Sequence, residues 1–182
     1  MPQEPHYGDV QMTASHWREE AERAQAMCTA PGSATREQLT GMSGMDFFSA
    51  MMNGEIPPPH MAATGSFVIV SFEFGHVVMQ GSPETKFQNT IGSIHGGWIA
   101  TLLDSALGCA VHTTLSAGRG YATAELKISY LRPISAPFSL VRAEGKVLSV
   151  GNKIAFAEGT LFGPDGKKYA HATSTCSVFD AR

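Results

Sequence analysis

Apolar positions recur along this chain with two periods, and the change of period divides it. From Thr13 to Ala30, Trp17, Ala21, Ala24 and Met27 fall along one side of a helix, which predicts an amphipathic element. Ala30-Pro31-Gly32-Ser33 ends it. Thr35 with Gln38 has the spacing of a capping box, as does Ser43 with Asp46 ahead of the run Phe47 to Met52. Pro57-Pro58-Pro59 then stops helix formation and gives a stiff, extended connector. From Ser66 the period shortens to two. The runs 67–74 and 77–79 flank Gly75-His76 and predict a hairpin.

After a long apolar helical stretch, alternation returns. Ala124, Leu126, Ile128 and Tyr130 alternate with Thr123, Glu125, Lys127 and Ser129, so this strand is expected to bury one face. Phe138 to Ser149, Lys153 to Phe162 and Lys168 to Phe179 complete an antiparallel meander, turned at Gly151-Asn152 and Pro164-Asp165-Gly166. Two strands, one long helix and four strands predict an α+β fold, an antiparallel sheet wrapped around a single central helix. Residues 1–60 form a helical N-terminal extension with its proline connector, and residues 61–182 the domain itself.

The chemistry is concentrated between Asn89 and Asp104, which read Asn-Thr-Ile-Gly-Ser-Ile-His-Gly-Gly-Trp-Ile-Ala-Thr-Leu-Leu-Asp. This stretch places an amide, an imidazole and two glycine N–H groups ahead of a helix. The helix is expected to be apolar all round and buried, with Ala100, Leu107 and Val111 sharing the face of its one carboxylate, Asp104. A charge there is costly unless paired or hydrogen-bonded. First-turn N–H groups lack partners inside a helix, and Gly96 and Gly97 let a ligand approach them closely. Such a terminus attracts a carbonyl oxygen or a developing oxyanion.

Spacing raises a geometric problem. At a rise of about 1.5 Å per residue, Gly96 and Asp104 stand roughly 12 Å apart along one helix. Reacting groups must approach to about 3 Å. Either Asp104 takes no part in the chemistry, or it acts on a carbonyl held by another subunit. The second reading predicts a two-fold dimer with two composite sites.

Charge adds a direction to this picture. Residues 1–85 hold three Lys/Arg and ten Asp/Glu, and residues 86–182 hold ten and six, so the part with the candidate site is the basic one. Arg119, Arg132 and Lys153, with Lys127, Arg142 and Lys146, are candidates to receive phosphates; solvated strand faces are the plainer alternative. Arg132 has a further alternative, a structural pairing beside Pro133. The acidic, helical front half argues against nucleic acid as a partner. An apolar content of 43% with 16% charged residues suits a globular chain without a membrane partner. Cys28, Cys109 and Cys176 have no metal-ligand or redox spacing, and no basic segment followed by an apolar run opens the chain. A reduced, cytoplasmic protein without a metal is the expectation.

The chain resembles the PaaI-like (thioesterase superfamily member 2-like) family of hotdog-fold acyl-CoA thioesterases from about Met42 to Val178. The likeness rests on Gly54-Glu55-Ile56-Pro57, Asn89 six residues before His95, and His95-Gly96-Gly97 with Asp104. It continues in Thr123-Ala124-Glu125-Leu126, Tyr130-Leu131-Arg132-Pro133 and Gly163-Pro164-Asp165-Gly166-Lys167. It implies hydrolysis of acyl-CoA in a dimer or dimer of dimers, with coenzyme A as part of the substrate and no separate cofactor. Asp104 is then the nucleophile or the base that activates water, and the Gly96 N–H polarises the thioester carbonyl. Asn89 orients the carbonyl or the water, His95 positions the thioester, and Thr123 holds the water near the carboxylate. Trp98 stands where the resemblance implies a smaller aliphatic residue, and is expected to narrow the acyl pocket.

Each site residue has a plainer alternative: a satisfied core carboxylate for Asp104, a helix-start residue for His95, a turn residue for Asn89, a β-former for Thr123. Met45, Met51, Met52 and Met61 read as adaptable packing or the mouth of an acyl site. Two other functions compete with hydrolysis. A β-hydroxyacyl dehydratase or hydratase of the same fold requires His95 as an essential base. A non-catalytic acyl-CoA binding protein requires no reactive carboxylate at all.

Overall fold

Helix α5 (Gly96–Thr113) is the element on which the others rest. The computed structural model describes residues 7–135 and 140–181. Among these, four helices precede the first strand: α1 (Tyr7–Met27), α2 (Arg36–Gly41), α3 (Gly44–Met52) and α4 (His60–Gly65). Strands β1 (Phe67–Glu73) and β2 (His76–Gly81) come before α5. Strands β3 (Arg119–Tyr130), β4 (Val141–Val150), β5 (Ile154–Phe162) and β6 (Lys168–Asp180) follow it. They form one sheet in the order β1-β2-β4-β5-β6-β3, with every neighbouring pair antiparallel. The expected start of the fourth strand at Phe138 lies outside the described residues.

The sheet curls around α5 because the helix offers it Leu102, Leu103, Ala106, Leu107, Ala110 and Val111, all fully buried. Burying each of the larger side chains favours folding by about 1.5–3 kcal/mol. The contact is close at Gly145 of β4, where a Cβ would stand 2.4 Å from the Ala106 carbonyl oxygen. No other residue type fits there.

Two expectations about faces need correction. Helix α5 is not apolar all round: Thr101, Asp104, Ser105, Cys109 and His112 form a half-buried stripe. Leu107 and Val111 belong to the buried side instead, and Asp104 lies at the border between the two. The hydroxyls of Thr101 and Ser105 turn back to the carbonyls of Gly97 and Thr101, which mutes their polarity. Strand β3 also lacks the regular buried face that its alternation implies. Leu126 and Ile128 are half-buried against the core, but Ala124 and Tyr130 are exposed. A register shift between Thr123 and Glu125 breaks the alternation, and β3 is the last strand of the sheet.

The N-terminal extension packs on both sides of the β1 edge. Alternation puts Val78, Gln80 and Arg142 on the outer face of the sheet, where α1 lies. There the Arg142 guanidinium donates to Glu20 Oε2 (2.6 Å) and Gln80 Oε1 (3.0 Å) and sits 4.5 Å from the Trp17 ring centre. The chain then turns under β1. Thr35 and Gln38 make the full capping box of α2. Ser43 caps α3 by accepting from the Asp46 N–H, and its hydroxyl donates to the Asp46 carboxylate, one methylene too short to copy glutamate. Gly44 then meets the end of α5, donating its N–H to the Leu115 carbonyl oxygen. No helix of the described residues is long and apolar enough to cross a membrane.

Candidate active site

The loop before α5 is closed on itself by Asn89. Asn89 Oδ1 accepts from the N–H groups of Ile91 (3.1 Å) and Ser93 (3.2 Å), while Nδ2 donates to Ser93 Oγ (2.9 Å). Gly92 takes φ +82° in this turn. The His95 N–H then reaches the Phe87 carbonyl oxygen at 2.8 Å, bringing the chain to the start of the helix. Asn89 therefore does the work of its plainer alternative, and it keeps one amide hydrogen that Ser93 does not use.

His95 is the N-cap of α5, and its Nδ1 accepts from the Gly97 N–H at 2.9 Å. A neutral ring that accepts at Nδ1 carries its proton on Nε2 and offers a donor, not a base, to a ligand. The Gly96 N–H has no hydrogen-bond partner among the described residues. Gly96 is also held from outside the helix. The Tyr130 hydroxyl donates to its carbonyl oxygen at 2.9 Å, and the ring lies 3.1 Å from where a Cβ would stand. Tyr130 in this positioning role was missed from the sequence, because alternation assigned it to the buried face of β3.

Asp104 lies two turns further along α5. The Thr123 hydroxyl donates to Asp104 Oδ1 at 3.0 Å, so β3 orients the carboxylate. The second carboxylate oxygen has no partner among the described residues and is free to take a proton or to attack. Its apolar surroundings affect other groups. Burial, aided by the Asp104 charge, pushes the Cys109 thiol up to about 12. Burial likewise raises the Tyr121 hydroxyl, with Cys109, Cys176 and Asp104 adding to the effect. Both stay protonated at neutral pH.

Asp104 and Thr123 open into a cavity of about 920 Å³ in the gap between the two edges of the curled sheet. Phe67 and Ile69 of β1 and Tyr121 of β3 contribute from either edge, and Phe47, Phe48, Met51 and Met52 of α3 close it over. At the far end of the α5 stripe, His112 packs against Phe47, Phe48 and Tyr121, with ring centres 5.0–5.6 Å apart. Burial lowers its pKa, so the imidazole is neutral at pH 7.

Trp98 does not line this cavity, which corrects the expectation that it narrows the acyl pocket. Its ring stacks on Phe87 at 5.4 Å, and Nε1 donates to the Gly65 carbonyl oxygen at 2.8 Å, so it ties α4 to α5. The cations proposed for phosphate are spread over strand ends. Arg119 pairs with Asp180 and also donates to the Asn152 carbonyl oxygen; Arg132 donates to the Lys168 carbonyl oxygen at 2.7 Å. Lys153 is exposed beside the β4–β5 turn.

Comparisons with known proteins bear on the family and the fold. The model of the thioesterase superfamily matches residues 91–170. Human acyl-coenzyme A thioesterase 13 is 30% identical over 97 residues, which are 53% of this chain and 68% of the human protein. A phenylacetic acid degradation-related protein from Ralstonia eutropha is 32% identical with a TM-score of 0.66, over 71% of this chain and 98% of its own. A Streptococcus mutans protein whose structure has acetyl-CoA bound is 29% identical with a TM-score of 0.59, over 64% of this chain and 90% of its own. The family match takes in Gly96, Asp104 and Thr123, and identity of 30% or more extends over most of two relatives. This chain therefore belongs to the thioesterase superfamily and is a thioester hydrolase with the hotdog fold.

Proposed function

We propose that this protein hydrolyses acyl-CoA thioesters to free acid and coenzyme A at two composite sites of a homodimer. The observation that carries the reading is a pair of contacts made by β3. Thr123 holds Asp104, and Tyr130 holds Gly96. Seven residues separate the two on the strand, about 23 Å at 3.3 Å per residue, so one chain does not bring them together. Strand β3 has no neighbour on its outer side among the described residues, and such an edge is a template for pairing with a second copy. Antiparallel pairing about the midpoint between Leu126 and Lys127 sets Thr123 opposite the partner subunit's Tyr130. Asp104 then approaches the partner subunit's Gly96, and two-fold symmetry creates the same site twice. The dimer is the minimal unit, alone or within a dimer of dimers.

The thioester carbonyl oxygen accepts from the Gly96 N–H, which stabilises the charge that develops there. The second amide hydrogen of Asn89 meets the carbonyl or the water, and the His95 Nε2–H steadies the thioester. Thr123 donates its hydrogen to Asp104 and keeps lone pairs that accept from a water molecule. That water attacks the carbonyl carbon while Asp104 takes its proton; the C–S bond breaks, and the proton passes to the departing thiolate. Lys153, with the N–H groups that Arg119 and Arg132 do not use internally, faces the coenzyme A phosphates.

His95 supports hydrolysis over dehydration, because its Nδ1 lone pair is occupied by Gly97. Thiol release from acyl-CoA by the wild type and by Asp104→Ala, with light scattering to establish the dimer, tests the reading. Loss of thiol release with the dimer intact is expected. Equal rates would overturn the assignment of Asp104, and a monomer with full activity would overturn the composite site.

A further inference from the structure

The cavity extends well beyond Asp104, and its distal half is built by the N-terminal extension. Pro31, Gly32 and Ala34 of the turn after α1 line it, together with Pro57, Pro59 and Met61. The extension is fixed there by its own bonds. Gly32 bridges to Pro59, and its N–H donates to the Pro58 carbonyl oxygen at 2.9 Å. The Ralstonia eutropha structure, matched over almost its whole length, leaves about three-tenths of this chain without a counterpart.

We propose that these segments form the distal acyl-binding site and make long, unbranched acyl chains the substrates. The inference rests on the acyl-CoA hydrolase reading and adds the acyl class to it. Volume supports it. A methylene is close in size to a water molecule, which occupies about 30 Å³. At that size a cavity of about 920 Å³ admits a chain of more than ten carbons with room to spare. Chemistry supports it as well. The lining includes Phe47, Phe48, Met51 and Met52 with Asp104 and the extension, and its one imidazole, His112, is neutral. Glu84, the other carboxylate of the lining, is exposed, as are Pro31, Pro59 and Met61. An acetyl or arylacetyl group would leave the distal half unfilled. Each further methylene buried is worth up to about a fourfold gain in binding.

The test compares kcat/KM for acetyl-, phenylacetyl-, octanoyl- and lauroyl-CoA, using the full chain and the variants Ala34→Trp and Met61→Trp. Lauroyl-CoA is expected to be the best substrate. Each tryptophan is expected to lower the lauroyl-to-acetyl ratio of kcat/KM at least tenfold. Two different positions guard against one variant failing to fold. A best substrate of two carbons or an aryl group, or an unchanged ratio in both variants, would overturn the proposal. Dodecanoate binding, read by displacement of a fluorescent fatty acid from Asp104→Asn, separates the two readings. Binding that is lost in the tryptophan variants supports the distal site even if no thioester is cleaved. Thioester cleavage without dodecanoate binding sinks the distal site alone.

Discussion

The Tyr130 hydroxyl donates to the Gly96 carbonyl oxygen across 2.9 Å, so the edge strand sets the position of the first residue of α5. The Gly96 N–H points wherever this contact and the His95 cap allow. Tyr130→Phe removes the bond and keeps the ring. A net hydrogen bond of about 1 kcal/mol predicts a fall in kcat of about fivefold to tenfold with KM little changed. Steady-state kinetics with one acyl-CoA, beside a thermal melt, check this. A change in KM alone would mean that Tyr130 binds substrate and does not aim the amide.

Asp104 and Thr123 should differ in what they lose. Asp104→Asn keeps the shape and the Thr123 contact but cannot take a proton, so kcat should drop by about 10²–10⁴. Thr123→Val keeps the β-branched packing and frees the carboxylate, which predicts a smaller loss of about tenfold. Thr123→Ser should restore most of the rate, because the hydroxyl is what orients Asp104. If Thr123→Val and Thr123→Ser are equally impaired, packing at the edge matters more than the hydrogen bond.

Much of this was legible because the signals were local. Capping residues at Thr35 and Ser43, the turn at Gly75 and the apolar α5 residues each fix their own neighbourhood, and the element order followed from them. The Asn89–Asp104 block marked the site for the same reason. What stayed hidden depends on distant partners. Trp98 reads as a pocket wall because its bond to Gly65 crosses 33 residues, and Tyr130 reads as buried because alternation does not show that it ends an edge strand. The polar stripe of α5 is hidden in the sequence, since small hydroxyls and a thiol blend into an apolar run. The extension could be recognised as helical but not placed, since only its packing under β1 brings it to the cavity.

Trp98 gives a prediction that separates stability from specificity. Trp98→Phe retains stacking on Phe87 but leaves the buried Gly65 carbonyl without its donor, at a cost of about 1–3 kcal/mol. The melting temperature should fall by several degrees for a chain of this size. The order of preference among acyl-CoAs should not change, because Trp98 lies outside the cavity lining. A new preference for bulkier acyl groups would restore Trp98 as a pocket wall.

Anchoring of α1 should depend on pH through Glu20. Burial works to raise its carboxyl pKa, but the Arg142 hydrogen bond and charge, with His16 and Arg23, bring it below the ordinary value. A group depressed on folding adds stability above its unfolded pKa, and that stability is lost as pH falls through the folded pKa. Glu20→Gln should therefore melt below the wild type at about pH 7, and the gap should close towards about pH 3, below the ordinary glutamate pKa. Paired thermal melts across that range measure it. A gap that persists in acid would mean that side-chain packing on Trp17 and Arg142, not charge, holds the helix.

The fate of oxygen distinguishes the two ways Asp104 can act. Thr123 donates to Oδ1, and on the proposed base route its lone pairs accept from a water beside the free oxygen. In a single turnover in ¹⁸O-water with enzyme in excess, the base route puts ¹⁸O into the product acid and none into the protein. Direct attack would form an Asp104 anhydride, so the first product could carry an enzyme oxygen while ¹⁸O entered the carboxylate. Mass spectrometry of the acid and of the peptide containing Asp104 reads both. Label in the peptide after one turnover would rule out the base route and leave Thr123 the task of aiming a nucleophile.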